Sequence, residues 1–293
     1  MTPDPKIENV PFLSLSNRKV DTLRLDQIHP IVSGNKWYKL HYYIKEAKAR
    51  NYTQIASFGG PYSNHLVALA FTARENGLKS IGYVRSNKGE PLTPSLQDAQ
   101  NFGMQLVFLG RTHFQESKNT LIQSHTTQQE TYFVDEGGYG ILGAMGASSI
   151  LNGVPEYDYI ICAVGTGTMF AGIINAVAPN QIPIGIPILK NEGSIQNEID
   201  ALLIKPNSNY VLLHQFHQGG YAKTNPAQIN FMNALWDIQK IPTDIVYTGK
   251  VFFAVQQLMQ ADYFKSNSSV LIIHSGGLQG NRSLAKDILH FGS

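Results

Sequence analysis

The sequence predicts an α/β protein whose parallel sheets are covered by helices on both faces. Short apolar runs typical of strands alternate with segments whose apolar residues recur at helical spacing. Parallel strands need long crossover connections, usually helices, so this alternation is the pattern expected of them. The chain has 293 residues, 43% of them hydrophobic, which is enough for one large core or two smaller ones.

Each predicted element rests on a local signal. The first unit is a strand at 54–58, a turn, and a helix with one apolar face, formed by Leu66, Leu69, Ala70 and Ala73. The second is a strand at 80–84 and a helix that Thr93 caps and Gly103 stops. Further strands are predicted at 104–109, 131–134, 158–164, 182–189, 210–214 and 270–274.

Composition excludes several classes of function. The formal charge is only +2 and no basic run is present, so we expect neither nucleic acid nor a membrane as partner. No run of about 18 apolar residues occurs, and residues 1–12 lack the apolar core of a signal peptide, which predicts a cytoplasmic protein. The single cysteine, Cys162, is expected to be buried in a strand.

Lys36 is the candidate for catalytic chemistry, because a lysine amine can hold a carbonyl cofactor as a Schiff base. The nine histidines show no metal-ligand spacing, so no metal site is predicted. The Gly-x-Ser-x-Gly motif of serine hydrolases is absent as well.

Three turns stand at predicted strand ends, where open α/β sheets bind ligands. The turn at 58–65 leads Ser63, Asn64 and His65 into a helix, where they could be helix caps or could bind a carboxylate. The loop at 165–169 could wrap a phosphate with its backbone N–H groups. The turn at 274–277 closes the last strand and could be a plain connection.

The loop at 165–169 leaves a dinucleotide-dependent oxidoreductase open as an alternative. Glu192 follows a predicted strand at the distance expected of a ribose-binding carboxylate. Phe170, however, stands where the fingerprint needs its third glycine, and Lys36 would have no role. A protein that binds a small molecule without turnover is the other open alternative.

Five motifs in order resemble one family. They are Gly34-Asn35-Lys36 with Lys39-Leu40, Gly59-Gly60 with Ser63-Asn64-His65, the loop at 165–169, Val246 to Lys250, and His274 to Gly277. Together they resemble the 1-aminocyclopropane-1-carboxylate deaminase and D-cysteine desulfhydrase family of pyridoxal-phosphate enzymes, over nearly the whole chain.

The resemblance implies a fold and a domain organisation. The expected fold is that of the tryptophan synthase β-subunit (fold type II), with two open, mainly parallel sheets flanked by helices. Residues 1–47 and 150–293 would form a larger cofactor-binding domain, and residues 48–149 a smaller inserted one, with the active site in the cleft. A homodimer is expected.

The resemblance also implies roles for individual residues. Lys36 would be the Schiff-base lysine, and the catalytic set would comprise Lys36, Ser63, Tyr221 and Tyr247. The cofactor, pyridoxal 5'-phosphate, would be held by Lys36, Asn64, Gly165, Thr166, Gly167, Thr168, Met169, Tyr247, Thr248 and Ser275. The carboxylate of a small amino-acid substrate would be bound by Ser63, Asn64 and His65.

Two positions favour one activity within the family. Thr248 occupies the position that meets the pyridine nitrogen, where a glutamate is deaminase-like and a threonine is desulfhydrase-like. Ser275 follows the last-strand histidine, where a small hydroxyl residue is also desulfhydrase-like. We therefore expect α,β-elimination from a β-substituted D-amino acid, D-cysteine first, with deamination of 1-aminocyclopropane-1-carboxylate as the alternative.

Overall fold

The computed structural model describes residues 4–15, 17–125, 131–190 and 194–291. The chain forms two compact units: Met1–Asn35 with Ala147–Ser293, and Lys36–Gly146. It passes from the first unit into the second at the peptide bond between Asn35 and Lys36. The domain boundaries expected from the family resemblance stay a prediction.

The described residues contain strands and helices that alternate along most of the chain. Strands β1 to β10 are Ile7–Asn9, Lys19–Arg24, Gln54–Gly59, Lys79–Val84, Met104–Phe108, Thr131–Val134, Tyr159–Val164, Ile182–Pro187, Val211–Leu212 and Ser269–His274. Helices α1 to α9 are Asn35–Ala49, Asn64–Glu75, Pro94–Asn101, Phe114–His125, Ile141–Ser148, Thr168–Ala176, Ser194–Asp200, Pro226–Gln239 and Thr248–Gln260. None of these helices combines the length and the apolar character that crossing a membrane requires.

The sheet of the first unit has six strands in the order β1-β2-β10-β7-β8-β9. Only β1 and β2 pair antiparallel. Every residue of β7 is buried, as expected of a central parallel strand covered on both faces. Ile161 of β7 packs in one core with residues of α8 and α9. Val164 of β7 and Phe170 of α6 both lie against Gly185 of β8. Cys162 is free and buried, as predicted.

The sheet of the second unit has four strands in the order β5-β4-β3-β6, and all its pairs are parallel. The predicted apolar face of α2 is buried throughout: Leu66, Leu69, Ala70 and Ala73. Thr93 caps α3 through the N–H of Leu96, as predicted. The predicted α/β class with two mainly parallel sheets is confirmed.

Strand β2 was not predicted, because its sequence is polar. It reads Lys-Val-Asp-Thr-Leu-Arg, yet only its first residue is exposed. The Asp21 carboxylate accepts hydrogen bonds from Asn9 and Tyr157, and Arg24 is bound to Asp26. The partners of Asp21 come from elsewhere in the chain and Asp26 lies two residues after Arg24, and hydropathy reveals neither kind of pairing.

The strand predicted at 210–214 is wrong at both ends. Only Val211–Leu212 pairs, with β8. The chain then turns into a short 3-10 helix at His214–Phe216. The N–H of Leu213 still donates to the carbonyl of Gly185, so the pairing is lost only where the backbone begins to turn.

Gly34 seats the segment before Lys36 directly on the turn that follows β10. Its φ is +69°, and a Cβ on it would overlap the Ser275 carbonyl oxygen and lie 2.8 Å from the Gly276 Cα. The N–H of Asn35 donates to the Ser275 carbonyl at 3.1 Å. Only glycine allows the two backbones to approach this closely.

We predict that Gly34→Ala lowers the free energy of unfolding by about 2 kcal/mol more than Gly153→Ala does, measured by urea denaturation. Gly153 is the matched control: its φ is +76°, but a Cβ there would meet nothing within 4 Å. The control therefore carries the conformational cost alone. Equal losses in the two variants would show that the contact with the Ser275 turn does not constrain this position.

Candidate active site

Two lysines mark the start of α1 in the second unit. Lys36 is half-buried, and Lys39, one helical turn later, is buried. Burial, and secondarily the charge of Lys36, hold the pKa of Lys39 well below its usual range. Among the described residues, no carboxylate acts on that pKa. Lys39 therefore lies where a bound anion would raise its pKa again.

His65 belongs to the same surroundings. Its Nε2 lies 2.8 Å from the Ser57 Oγ, and its Nδ1 is buried without a hydrogen-bond partner among the described residues. Burial lowers the pKa of His65 well below its usual range, and the charges of Lys36 and Lys39 lower it further. Lys36, Lys39 and His65 thus form a basic cluster, in which the imidazole is neutral.

The turn between β3 and α2 places Ser63 at the helix N-terminus. The Ser63 Oγ accepts a hydrogen bond from the Leu66 N–H at 3.2 Å, so the capping role considered for this residue is observed. Gly59 leaves room for it, because a Cβ there would lie 2.6 Å from that Oγ. The Thr93 hydroxyl donates to the Pro61 carbonyl and ties this turn to the cap of α3.

The N-terminus of α2 can attract an anion with its first backbone N–H groups, which an α-helix leaves without partners inside the helix. Asn64 is the first residue of the helix and is half-buried. The imidazole of His65 is directed to Ser57, so its side chain already has a structural contact. The substrate-binding roles of Ser63, Asn64 and His65 stay predictions.

The predicted phosphate loop connects β7 to α6 in the first unit. Gly167, at the N-cap of α6, has φ +81°, and a Cβ there would lie 2.9 Å from the Ile199 side chain. No side chain caps this helix. The Thr166 and Thr168 hydroxyl oxygens lie 2.9 Å apart, next to the uncapped helix end. Backbone N–H groups, hydroxyls and the helix dipole together suit a phosphate.

Asn35 links this loop to the turn after β10. Its Nδ2 lies 3.2 Å from the Met169 sulfur, and its backbone N–H donates to the Ser275 carbonyl. The N–H of Gly277 donates to the Ser33 hydroxyl at 3.3 Å. The predicted cofactor residues Met169 and Ser275 are therefore held by the segment that immediately precedes Lys36.

Thr248 begins α9 and is held by Asp244, a buried residue that sequence reasoning missed. The Thr248 hydroxyl donates to the Asp244 Oδ1 at 2.7 Å and accepts from the Asp244 N–H at 2.8 Å. The carboxylate also accepts from the N–H groups of Val246, Tyr247 and Thr248. Burial raises the pKa of Asp244, and these hydrogen bonds oppose the shift. The Thr248 proton is thus directed to Asp244.

The predicted tyrosines of the first unit are brought together. The rings of Tyr221 and Tyr247 meet edge to face, with centroids 6.5 Å apart. Gly165 lies against the ring of Tyr247, since a Cβ on Gly165 would be 3.3 Å from the Tyr247 Cε1. Tyr221 is exposed and Tyr247 is half-buried, so each ring also presents surface that a ligand could cover.

Each unit therefore gathers its own share of the predicted site residues. The first unit holds the loop at 165–169, Tyr221, Tyr247, Thr248 and Ser275, and the second holds the basic cluster with Ser63 and Asn64. Sequence reasoning assigned no role to Lys39, Asp244 or Lys250. A signal for Asp244 existed, because an Asp side chain in a turn commonly accepts from the N–H two residues later, here that of Val246.

The part of the chain that the structure describes offers no metal site and does not test the dinucleotide alternative. The described ranges contain no group of three or more His, Cys, Asp or Glu residues that could hold a metal ion. Glu192, on which the dinucleotide alternative depended, lies outside the described residues.

Comparison with known proteins agrees with the resemblance seen in the sequence. The chain is 27% identical over 281 residues to a putative 1-aminocyclopropane-1-carboxylate deaminase of Thermotoga maritima, covering 88% of each protein. It is 23% identical over 300 residues to a D-cysteine desulfhydrase of Salmonella typhi, covering 92% of this chain and 90% of that protein.

Solved structures share the fold. The crystal structure of an ACC deaminase homologue superimposes with a TM-score of 0.82, at 20% identity, over 95% of this chain and 90% of that chain. A serine racemase from Dictyostelium discoideum superimposes with a TM-score of 0.68. The expected fold type II is confirmed by these neighbours.

The family assignment rests on a match that spans most of the chain. The sequence model described as "Pyridoxal-phosphate dependent enzyme" matches residues 6–276, from the first strand to the turn after the last. Both the predicted family and the predicted cofactor are thereby confirmed. This chain belongs to the pyridoxal-phosphate dependent enzymes, among which it resembles the 1-aminocyclopropane-1-carboxylate deaminases and D-cysteine desulfhydrases.

Proposed function

We propose that this enzyme catalyses α,β-elimination from a β-substituted D-amino acid, with D-cysteine converted to pyruvate, sulfide and ammonia. The observation that carries the choice is Thr248, a neutral hydroxyl residue at the start of α9 where a deaminase-like sequence would carry a carboxylate. Ser275 supports the same choice. The D-cysteine desulfhydrase of Salmonella typhi provides a relative with the proposed activity in its name.

The residues present fit pyridoxal 5'-phosphate. A phosphate suits the uncapped N-terminus of α6 and the loop at 165–169, whose Gly165 packs on Tyr247 and whose Gly167 packs on Ile199 too closely for a side chain. Lys36 would hold the aldehyde carbon, and Asn64 the phenolic oxygen. We assign the pyridine side to Thr248 and Ser275. When bound, this cofactor supplies an electron sink for charge that develops at the substrate Cα.

The state of Thr248 bears on the strength of that sink. Its hydroxyl proton is directed to Asp244, and its oxygen already accepts from the Asp244 N–H. Thr248 therefore offers a neutral oxygen where a glutamate would offer a full negative charge. A carboxylate would favour a protonated pyridine nitrogen, whereas a neutral oxygen does so far less. Elimination tolerates the weaker sink, because the leaving group itself removes the electron pair.

The protein groups divide the remaining work. The first N–H groups of α2 and the Ser63 hydroxyl would hold the substrate carboxylate, an interaction worth on the order of 1 kcal/mol at a helix N-terminus. Lys36 would remove the proton from Cα. The electron pair of that C–H bond forms the double bond to Cβ while the Cβ–S bond breaks and sulfide departs. Water then converts the released 2-aminoacrylate to pyruvate and ammonia.

Deamination of 1-aminocyclopropane-1-carboxylate is the second candidate. It is favoured by the relative in Thermotoga maritima, which is more similar to this chain than the desulfhydrase is. The basic cluster and the α2 N-terminus would bind the carboxylate of either substrate. The two reactions differ in their products, since ring opening yields 2-oxobutyrate and releases no sulfide.

Substrate tests on the pyridoxal-phosphate-loaded protein separate the candidates. We expect sulfide and pyruvate from D-cysteine, little or none from L-cysteine, and no 2-oxobutyrate from 1-aminocyclopropane-1-carboxylate. Sulfide by methylene blue and 2-oxo acids by coupled dehydrogenase assays measure these products. Formation of 2-oxobutyrate would support the deaminase activity instead. No product from any of the three compounds would contradict both proposed substrates.

Lys36→Ala should abolish turnover and leave the fold unchanged, because no other amine is assigned to the cofactor aldehyde. Borohydride reduction of the wild-type protein with bound cofactor, followed by peptide mass spectrometry, should place the pyridoxyl group on Lys36. Lys45→Ala is the control, since Lys45 is an exposed lysine of the same helix. A pyridoxyl group on another lysine, or turnover by Lys36→Ala, would refute the assignment.

We further propose that Lys39 binds the cofactor phosphate or the substrate carboxylate, since burial lowers its pKa and no described carboxylate compensates. Losing one charge-assisted hydrogen bond of about 1.5–3 kcal/mol weakens binding roughly 10- to 100-fold. Lys39→Met should therefore weaken binding of pyridoxal phosphate but not of pyridoxal if the phosphate is the partner. If Lys39 instead binds the substrate carboxylate, Lys39→Met should raise the KM for the substrate. Equal behaviour of Lys39→Met and Lys45→Met would exclude both.

A further inference from the structure

Lys250 is a fully buried cation that the proposed chemistry does not use. It lies in the first turn of α9, two residues after Thr248, and its side chain is 0% exposed. Its Nζ donates to the His217 carbonyl at 2.8 Å and to the Gly220 carbonyl at 2.6 Å. Both acceptors belong to the loop that carries Tyr221. We call residues 217–222 the tyrosine loop.

The tyrosine loop has an unusual backbone. Positive φ values occur at Gln218, Gly219, Gly220 and Ala222. Two of these residues carry a side chain, and each non-glycine residue in this region costs roughly 1–3 kcal/mol. The hydrogen bonds within the loop are short-range: the Gly220 N–H donates to the His217 carbonyl, the Lys223 N–H to the Gly220 carbonyl, and the Gly219 N–H to the His217 Nδ1. The Gln218 side chain accepts from the Asn225 amide. Such a conformation persists only where surrounding groups hold it.

Lys250 supplies that support at a cost. Burial lowers its pKa to about 8, although the nearby Asp244 carboxylate opposes the shift. An apolar side chain of similar size would avoid the desolvation of an ammonium group. It would also remove one of the two donors to each carbonyl, leaving only the Gly220 N–H on the His217 carbonyl and the Lys223 N–H on the Gly220 carbonyl. The ammonium is thus the group that ties the loop to α9, because it donates to both carbonyls at once.

The same turn of α9 fixes the partner of Tyr221. Asp244 holds the backbone of Tyr247 and Thr248, and the ring of Tyr221 packs edge to face on that of Tyr247. Lys250 therefore holds the loop that carries Tyr221, while Asp244 holds the backbone of Tyr247. A loop released from Lys250 would keep its covalent neighbours but lose the fixed position of its exposed aromatic residue.

We propose that Lys250 is a positioning residue, which holds the tyrosine loop so that Tyr221 stays against Tyr247 at the substrate position. Its kinetic consequence rests on the proposed function, because the catalytic role of Tyr221 is one that the family resemblance implies. Its structural consequence, an ordered tyrosine loop, does not. The two can therefore be measured separately.

Amide hydrogen exchange tests the structural part without any turnover. We expect Lys250→Met to accelerate exchange at Gly220 and Lys223 at least tenfold, with exchange in β7 and β10 unchanged. Lys265→Met is the matched control, as an exposed lysine of the same unit. Unchanged exchange at Gly220 and Lys223 in a folded Lys250→Met protein would overturn the proposal.

A double-mutant cycle tests the kinetic part. Lys250→Met and Tyr221→Ala should each lower kcat/KM about tenfold or more, with the bound pyridoxal phosphate content unchanged. If Lys250 acts through Tyr221, adding Lys250→Met to Tyr221→Ala should cost little further. Fully additive losses would mean that Lys250 acts elsewhere. Absence of turnover in the wild type would refute the proposed function, while the exchange data would still decide the role of Lys250.

A second variant covers the case in which Lys250→Met does not fold. Gly220→Ala leaves Lys250 in place but strains the loop, because Gly220 has φ +116°. A Cβ there would lie 3.7 Å from the nearest side-chain atom, so the space itself is sufficient. Gly220→Ala should reproduce the faster exchange and the loss of kcat/KM. Wild-type exchange and kinetics in this variant would contradict a positioning role for the loop.

Discussion

The contact between Gly34 and the turn after β10 is the constraint on which the proposed site depends. It joins backbone to backbone, with the Asn35 N–H on the Ser275 carbonyl and no room for a Cβ on Gly34. Gly34 and Ser275 are 241 residues apart in the sequence. Through this contact the residue before Lys36 is held at the carboxyl end of a parallel strand, which is where open α/β sheets place their ligands.

Asp244 plays a comparable part at the start of α9. One buried carboxylate accepts from three backbone N–H groups and from the Thr248 hydroxyl, so it fixes both residues that we assign to the cofactor in this turn. The same negative charge favours the protonated form of Lys250, which in turn holds the tyrosine loop. Asp244 therefore constrains Tyr247 directly, through its backbone N–H, and Tyr221 indirectly, through Lys250.

The sequence revealed the parts of this arrangement whose signals are local. Apolar runs located the central strands, and five short motifs identified the family before any geometry was known. It did not reveal β2, since the partners that make Asp21 and Arg24 suitable for burial come from distant residues. Nor did it reveal the loop contact of Lys250, although the residue lies within a recognised motif, because both of its acceptors are carbonyl groups some thirty residues away. Ser63, by contrast, had a local signal that was correct: it caps α2 as that signal predicts. Its role in binding the substrate stays a prediction.

The two buried lysines, Lys250 and Lys39, differ in whether the protein itself compensates their charge. Lys250 donates to two carbonyls and has Asp244 nearby, so its charge serves the protein itself. No carboxylate among the described residues compensates Lys39: burial, and secondarily the charge of Lys36, lower its pKa, and burial is likewise the main cause of the low pKa of His65. An isolated buried charge is costly, and an anion that binds beside it removes much of that cost. The basic cluster therefore fits our proposal that it binds an anionic group, such as the phosphate of the cofactor or the carboxylate of an amino-acid substrate.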